Sequence, residues 1–207
     1  MADTGEDVAY EGLADEVLFR PVRSGNSFED TVARLLQTIR LGVIHPGEPL
    51  PPERDLAARF SVSRDTVREA IKSLADAGYL VSRRGRYGGT FVSASLPLSS
   101  SDAAPPAVAD INDILGLREI LELGAARAAA SRDLSAFERD LLWTRMRETA
   151  AASIDDYRRL DSRFHLTIAE VVATPSLVSL MADNRTRVNE LLDGIPLLER
   201  NIEHSNQ

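Results

Sequence analysis

The stretch from Pro51 to Val92 constrains this 207-residue chain more than any other. After Pro51-Pro52, the residues Leu56, Ala57 and Phe60 fall on the inner side of a short helix. A proline at the first helical position costs no hydrogen bond there. Ser61-Val62-Ser63 makes a tight break, with Ser63 placed to cap a further helix. That helix runs to about Ala77 with Val67, Ala70, Ile71 and Leu74 on one face, and Gly78 stops it. Leu80-Val81 and Thr90-Phe91-Val92 are strand-like and flank Arg83-Arg84-Gly85-Arg86-Tyr87-Gly88-Gly89, which predicts a hairpin. Upstream, Phe28, Val32, Leu35, Leu36 and Ile39 recur at helical spacing from a plausible cap at Ser27, and Gly42 with His45-Pro46-Gly47 ends the run.

Three helices, the last two joined by a tight turn, followed by a β-hairpin, is the winged helix-turn-helix order. In that order the second helix braces the third, whose first turn can enter a major groove. Bulk charge points the other way: net −8 and a pI near 5.0 argue against a nucleic-acid partner. Divided by region, the acidity belongs to the ends. Residues 28–92 hold ten basic side chains against eight acidic ones. Lys72 is the only lysine, a bias that reads as composition more than as recognition. Arg64, Asp65, Thr66 and Arg68 occupy the third helix's first turn, opposite Val67 and Ile71. Arginine forks onto guanine O6 and N7, and the Ser63 and Thr66 hydroxyls suit phosphates. Arg54, at the start of the bracing helix, is placed for a phosphate. Arg84, Gly85 and Arg86 form a tip suited to an adjacent minor groove or backbone. Asp65 either accepts from cytosine N4 or repels a phosphate, and the residues alone leave this open.

The rest of the chain divides by composition. Residues 1–26 read as a flexible acidic arm, 27–95 as the winged domain, and 96–109 as a Ser/Ala/Pro-rich linker. From 110 to 207 nearly everything is helical: Ile111–Ser131, Ala136–Ala151, Ile154–Val172, Ser176–Leu192 and a last piece from Pro196. The chain has no cysteine, which excludes disulfides, thiolate zinc sites and cysteine nucleophiles. The acidic N-terminus lacks the order of a secretory signal, and no apolar run approaches the roughly 18 residues of a membrane span. A cytoplasmic protein without membrane contact is expected. Asp161 and His165, spaced i, i+4, share a helix face and make a workable pair of metal ligands, although such spacing is more often a surface pair. Arg118 is spaced to pair with Glu122 four residues on. No H-E-x-x-H or comparable motif is present, so an enzyme is not expected.

The segment LPPERDLAARFSVSRDTVREAIKSLADAGYLVSRRGRYGGTFV resembles the GntR family of bacterial transcription regulators. Its P-x-E-R-x-L-A, V-S-R-x-T-V-R-E-A and G-x-G-G-T-F-V elements carry the likeness, within residues 28–92. The resemblance implies dimeric binding to a short palindromic operator, with Arg54, Ser63, Arg64, Thr66, Arg68 and Gly85 at DNA-contacting positions. Pro52 departs from the serine frequent in the family, and Asp65 from a neutral or small residue. GLREILELGAARAAASR and LDSRFHLTIAEVVATPSL are similar to the all-helical FCD effector domain of the FadR subfamily. This implies a divalent metal, zinc or nickel, held by Asp161, His165 and later histidines, of which only His204 lies near. It also implies a carboxylate-bearing effector, with Arg118 as a candidate contact. The likeness covers about two thirds of that domain, which implies an effector domain and a metal site that are C-terminally incomplete. The LADEVLFRP stretch and the EHSNQ ending resemble mycobacterial regulators of mammalian-cell-entry operons, which implies a fatty acid or acyl-CoA effector. The expected fold is mainly α, a winged helix-turn-helix with a small β-hairpin followed by an incomplete helical bundle. The expected function is that of a DNA-binding regulator, a repressor acting as a homodimer. The alternative is a truncated dimerising regulator that binds DNA or partner subunits without sensing a ligand.

Overall fold

The computed structural model describes residues 13–19, 27–85, 88–97 and 108–193. Its contacts divide the chain into two units, Asp15–Leu98 and Met1–Ala14 with Ser99–Gln207.

The described chain begins with α1 (Leu13–Leu18). Residues 13–19 therefore depart from the flexible arm expected of them. The cause is apolar: Val17, Leu18 and Phe19 are buried, and Phe19 stacks on Phe60 with ring centroids 5.4 Å apart. Three helices follow, α2 (Ser27–Arg40), α3 (Glu53–Phe60) and α4 (Arg64–Asp76), then strands β1 (Leu80–Arg83) and β2 (Gly89–Val92). Leu35 and Ile39 of α2, Leu56 and Phe60 of α3, and Val67 and Ala70 of α4 meet at 0% exposure. Each of the larger ones contributes about 1.5–3 kcal/mol by its burial. Leu80 and Val92, opposite each other in the hairpin, close this core.

The break between α3 and α4 is tight because Ser61 takes the left-handed conformation, φ 55°. The Ser61 and Val62 amides then turn back to the carbonyls of Ala58 and Ala57, at 3.3 and 3.1 Å. Pro52 stands at the N-cap of α3 rather than at its first helical position, and it offers no side-chain cap. Its carbonyl accepts the Asp55 and Leu56 amides at 2.8 and 3.0 Å instead. The hairpin runs from Leu80 opposite Val92 to Arg83 opposite Gly89. The segment before α3, expected only as a turn, also lies along β2. The Gly47 and Leu50 amides donate to Val92 and Thr90, and Pro49 bridges Phe91. Proline has no amide to extend the ladder, so the pairing stays a bridge.

Among its described residues the second unit holds four helices, α5 (Val108–Ala130), α6 (Ala136–Ala150), α7 (Tyr157–Val171) and α8 (Pro175–Asp193). Helix α7 packs against the other three, and α5 also packs along α8. A capping box opens α6. The Glu138 amide donates to Ser135 Oγ, and the Ser135 amide donates to Glu138 Oε2. Expected from Ile154, α7 starts at Tyr157, because Ser153 Oγ accepts the Asp156 amide and holds a turn ahead of the helix. Leu166 and Ala169 of α7 and Val178 and Ala182 of α8 are fully buried. Ile120, Leu123 and Trp143 stay more than half exposed. No helix among the described residues is long and apolar enough to cross a membrane.

Candidate nucleic-acid interface and helical charge cluster

Helix α4 presents its first turn outward because Val67, Ala70, Ile71 and Leu74 hold the opposite side in the core. Ser63 caps it, its hydroxyl accepting the Thr66 amide at 3.0 Å and lying 2.8 Å from Thr66 Oγ1. That hydroxyl is thus committed to the helix end. Arg64 is exposed and makes no ion pair with any described residue. Arg68 is held. Its two terminal nitrogens reach Asp65 Oδ1 at 2.9 Å and Glu53 Oε2 at 3.2 Å. Asp65 thus steers a neighbouring arginine within the free chain, a third role beside the two considered from its chemistry. Arg54, with its side chain 81% exposed, pairs among the described residues only with Asp55, at 3.1 Å.

At the hairpin tip Arg84 is exposed, and Gly85 takes φ +110°, a conformation that suits glycine. The Gly88 amide closes the turn on Gly85 O at 2.9 Å, and a Cβ on Gly88 would lie 2.6 Å from Arg83 O. The Arg83 guanidinium sits 4.5 Å over the Phe91 ring, which stiffens the base of the tip. Arg86 lies outside the described residues.

In the helical unit Asp161 and His165 do come together, with His165 Nε2 3.6 Å from Asp161 Oδ1 and His165 Nδ1 3.6 Å from Glu122 Oε1. Between the two carboxylates stands the guanidinium of Arg185 from α8, only 2% exposed. One terminal nitrogen donates to Glu122 Oε1 at 2.8 Å, and the other donates to Asp161 Oδ2. Arg118 closes the group, its Nε donating to both oxygens of Glu122 at 3.1 Å. The i, i+4 ion pair is therefore made. Burial alone would raise the Asp161 carboxyl, but the His165 ring and the Arg185 charge outweigh it and hold that group well below the usual carboxylate range.

A divalent ion does not fit this arrangement. It would compete with the guanidinium for the same oxygens. Set about 4 Å from the guanidinium, it would be repelled by about 8 kcal/mol at an effective dielectric near 20, twice the figure for two unit charges. Among the described residues no group of three or more His, Asp or Glu side chains is set to hold a metal. His204 lies outside the described residues. Beside the cluster, Phe164 and Ile168 of α7 floor an apolar groove of about 380 Å³, walled by Ala129 of α5 and by Leu142, Trp143 and Met146 of α6.

The segment that contains this interface, residues 28–92, matches the profile of bacterial regulatory proteins of the gntR family. A protein of Escherichia coli K12, provisionally named as the regulatory protein of the L-lactate dehydrogenase operon, is 30% identical over 197 residues. The alignment takes in 90% of this chain and 69% of that protein. The chain belongs to the GntR family.

Two further relatives of this GntR-family chain are similar over a shorter span. RmpR of Mycobacterium gastri, provisionally named an HTH-type transcriptional regulator, is 33% identical over 72% of this chain and 56% of its own length. The Uxu operon transcriptional regulator of E. coli K12 is 36% identical over 66% of this chain and 54% of its own length. The GntR-family chain thus spans little more than half of these two proteins. The FCD domain matches residues 113–207, which include the charge cluster. The sequence pattern does not point to Arg185 or Glu53. Each meets its partner across helices, 24 and 15 residues away, where helical periodicity carries no signal.

Proposed function

We propose that this chain is a transcription regulator, a repressor, that binds a palindromic operator as a homodimer in the bacterial cytoplasm and answers to a small acidic metabolite. The observation that carries this reading is the α4 turn itself. A capped helix end projects an untethered Arg64 beside Thr66, with Arg68 poised on two carboxylates. In this reading Arg64 and Arg68 reach guanine edges in the major groove, and Thr66 and Arg54 take phosphates. Ser63 sets the helix end, Asp65 positions Arg68, and Arg84, Gly85 and Arg86 follow the neighbouring backbone or minor groove. Residues 27–95 form the DNA-reading domain, 96–109 the linker, and 110–207 the effector and dimerisation domain.

The experiment is selection of duplexes from a randomised pool by the full chain, followed by footprinting. The expected product is an inverted repeat with half-sites about one helical turn, ~34–36 Å, apart. A pool that enriches no sequence over non-specific binding rejects the reading. Gly88→Ala tests the wing separately. Its Cβ would force the turn off Arg83 O, so operator affinity is expected to fall by about 1 kcal/mol, near fivefold. The thermal midpoint, set by the core, is expected to move by less than ~2–4 °C. Anisotropy titration and a melt check both.

Homodimerisation through α5 is supported by its exposed Leu115, Ile120 and Leu123, and by Gly116 and Gly124, where an added Cβ would meet nothing. Small residues beside large apolar ones admit the close approach of a second helix. Leu123→Glu is expected to shift the chain from dimer towards monomer in analytical ultracentrifugation, and an unchanged dimer would count against this surface. The effector is a small carboxylate, fatty acid or acyl-CoA. The apolar groove at Phe164 and Ile168 suits its hydrophobic part, with Arg139 on the same lining for an acid group. Arg118 could serve the acid group only by giving up its ion pair with Glu122. Its effect on operator affinity must be matched by an equal effect of the operator on its own binding.

A further inference from the structure

We propose that Arg185 is the resident cation of the helical unit, and that Asp161 and His165 serve as its surroundings rather than as ligands of a divalent metal. Glu122 from α5 and Asp161 from α7 bring two carboxylates to one place, and burying such a pair requires positive charge. Arg118 supplies one such charge from the partly exposed side, and Arg185 supplies the other from within, 2% exposed. The four side chains balance without a further ion.

Geometry then holds Arg185 in place. Asn184, immediately before it, is buried and donates to the Ile114 carbonyl of α5 at 3.1 Å. Asn189, one turn on, donates to Ser162 Oγ of α7 at 3.0 Å. Met181, Ala182 and Val188 are buried on the same helix. These contacts fix the rotation of α8 against both neighbours, so the arginine has no exposed face to swing towards. Its fork meets a different helix with each terminal nitrogen, whereas its Nε has no hydrogen-bond partner among the described residues. Among the described residues the two carboxylates are thus its only hydrogen-bond partners. A metal entering here must first displace a buried guanidinium from both carboxylates.

The test uses the full chain, which includes His204, dialysed against EDTA and titrated with zinc or nickel chloride in a calorimeter. No saturable one-to-one uptake is expected. The thermal midpoint with EDTA and with zinc is expected to agree within about 2 °C, less than a consequential ligand gives a chain of this size. Arg185→Lys keeps the charge and is expected to behave alike. Arg185→Gln removes the charge and leaves Glu122, Asp161 and His165 facing one another. This variant is expected to gain one-to-one zinc uptake and to melt higher with zinc than without. Stoichiometric uptake by the unsubstituted chain that is lost in His165→Ala overturns the proposal. So does a folded Arg185→Gln chain that takes up no zinc. Operator binding does not enter these readouts, so the proposal stands or falls apart from the regulatory function.

Discussion

Arg64→Ala is expected to lower affinity for the selected operator by about 1–3 kcal/mol, roughly five- to 150-fold, while binding to random duplex changes far less. The difference follows from what the side chain is free to do. Arg64 projects from the capped end of α4 without an ion pair to any described residue, so its fork is available to a base edge at no cost in broken contacts. A phosphate-contacting arginine would instead weaken all sequences alike and shallow the salt dependence by about one unit. Arg68→Ala is expected to act in the same sense but less strongly, because Asp65 and Glu53 must release Arg68 before it reaches DNA. Exposed pairs of this kind are each worth about 0–1 kcal/mol, so the release is affordable. Competition binding at two salt concentrations separates these outcomes. Equal losses on operator and random duplex would reassign Arg64 to the backbone, and no loss on either would remove it from the interface.

The largest effect on stability is expected from Arg163→Met. Arg163 and Glu170 lie on α7, 5% and 1% exposed, with Arg163 donating to Glu170 Oε2 at 2.6 Å. Neither side chain can turn to solvent without opening the bundle. Removing the guanidinium strands a buried carboxylate, which typically costs about 3–5 kcal/mol. Against a total stability of roughly 5–15 kcal/mol that is a large share. At ~2–4 °C per kcal/mol, the melting midpoint is expected to drop by roughly 6–20 °C. The double variant Arg163→Met, Glu170→Leu is expected to recover most of the loss, since an apolar pair of similar volume needs no partner. Recovery will be incomplete because Glu170 Oε1 also accepts the Ala14 amide at 3.0 Å. A single variant that unfolds within about 1 kcal/mol of the unsubstituted chain would show that water reaches this pair.

The winged unit was legible in the sequence because its periodicities are short-range. Leu56, Ala57 and Phe60, then Val67, Ala70, Ile71 and Leu74, repeat at the helical period, and the structure buries all seven. The cap at Ser63 and the hairpin were equally local. What escaped depends on contacts that no spacing encodes. The α1 segment lies among acidic residues and spans six positions, too few to show an amphipathic repeat, yet Phe19 finds Phe60 across the fold. Segment 47–50 was hidden by Pro49 and the flanking Pro46 and Pro51, which argue against a strand even where the neighbouring amides pair with β2. In the helical unit the spacing of Asp161 and His165 correctly placed them on one face. It carried no information about the arginine that α8 brings between their neighbours. A pattern of ligand types resembles a metal site until the counter-charge is located, and that charge was distant in the chain.

Trp143 is the only tryptophan in the chain, and it stands 59% exposed on the wall of the apolar groove. Excitation near 295 nm, where tyrosine absorbs little, therefore addresses one indole at one place. Its emission reports how polar that place is, without a label and without DNA. A molecule that fills the groove excludes water from the ring and moves the emission maximum to shorter wavelength, while one bound elsewhere leaves the spectrum unmoved. The chain thus carries its own optical gauge for sorting candidate effectors.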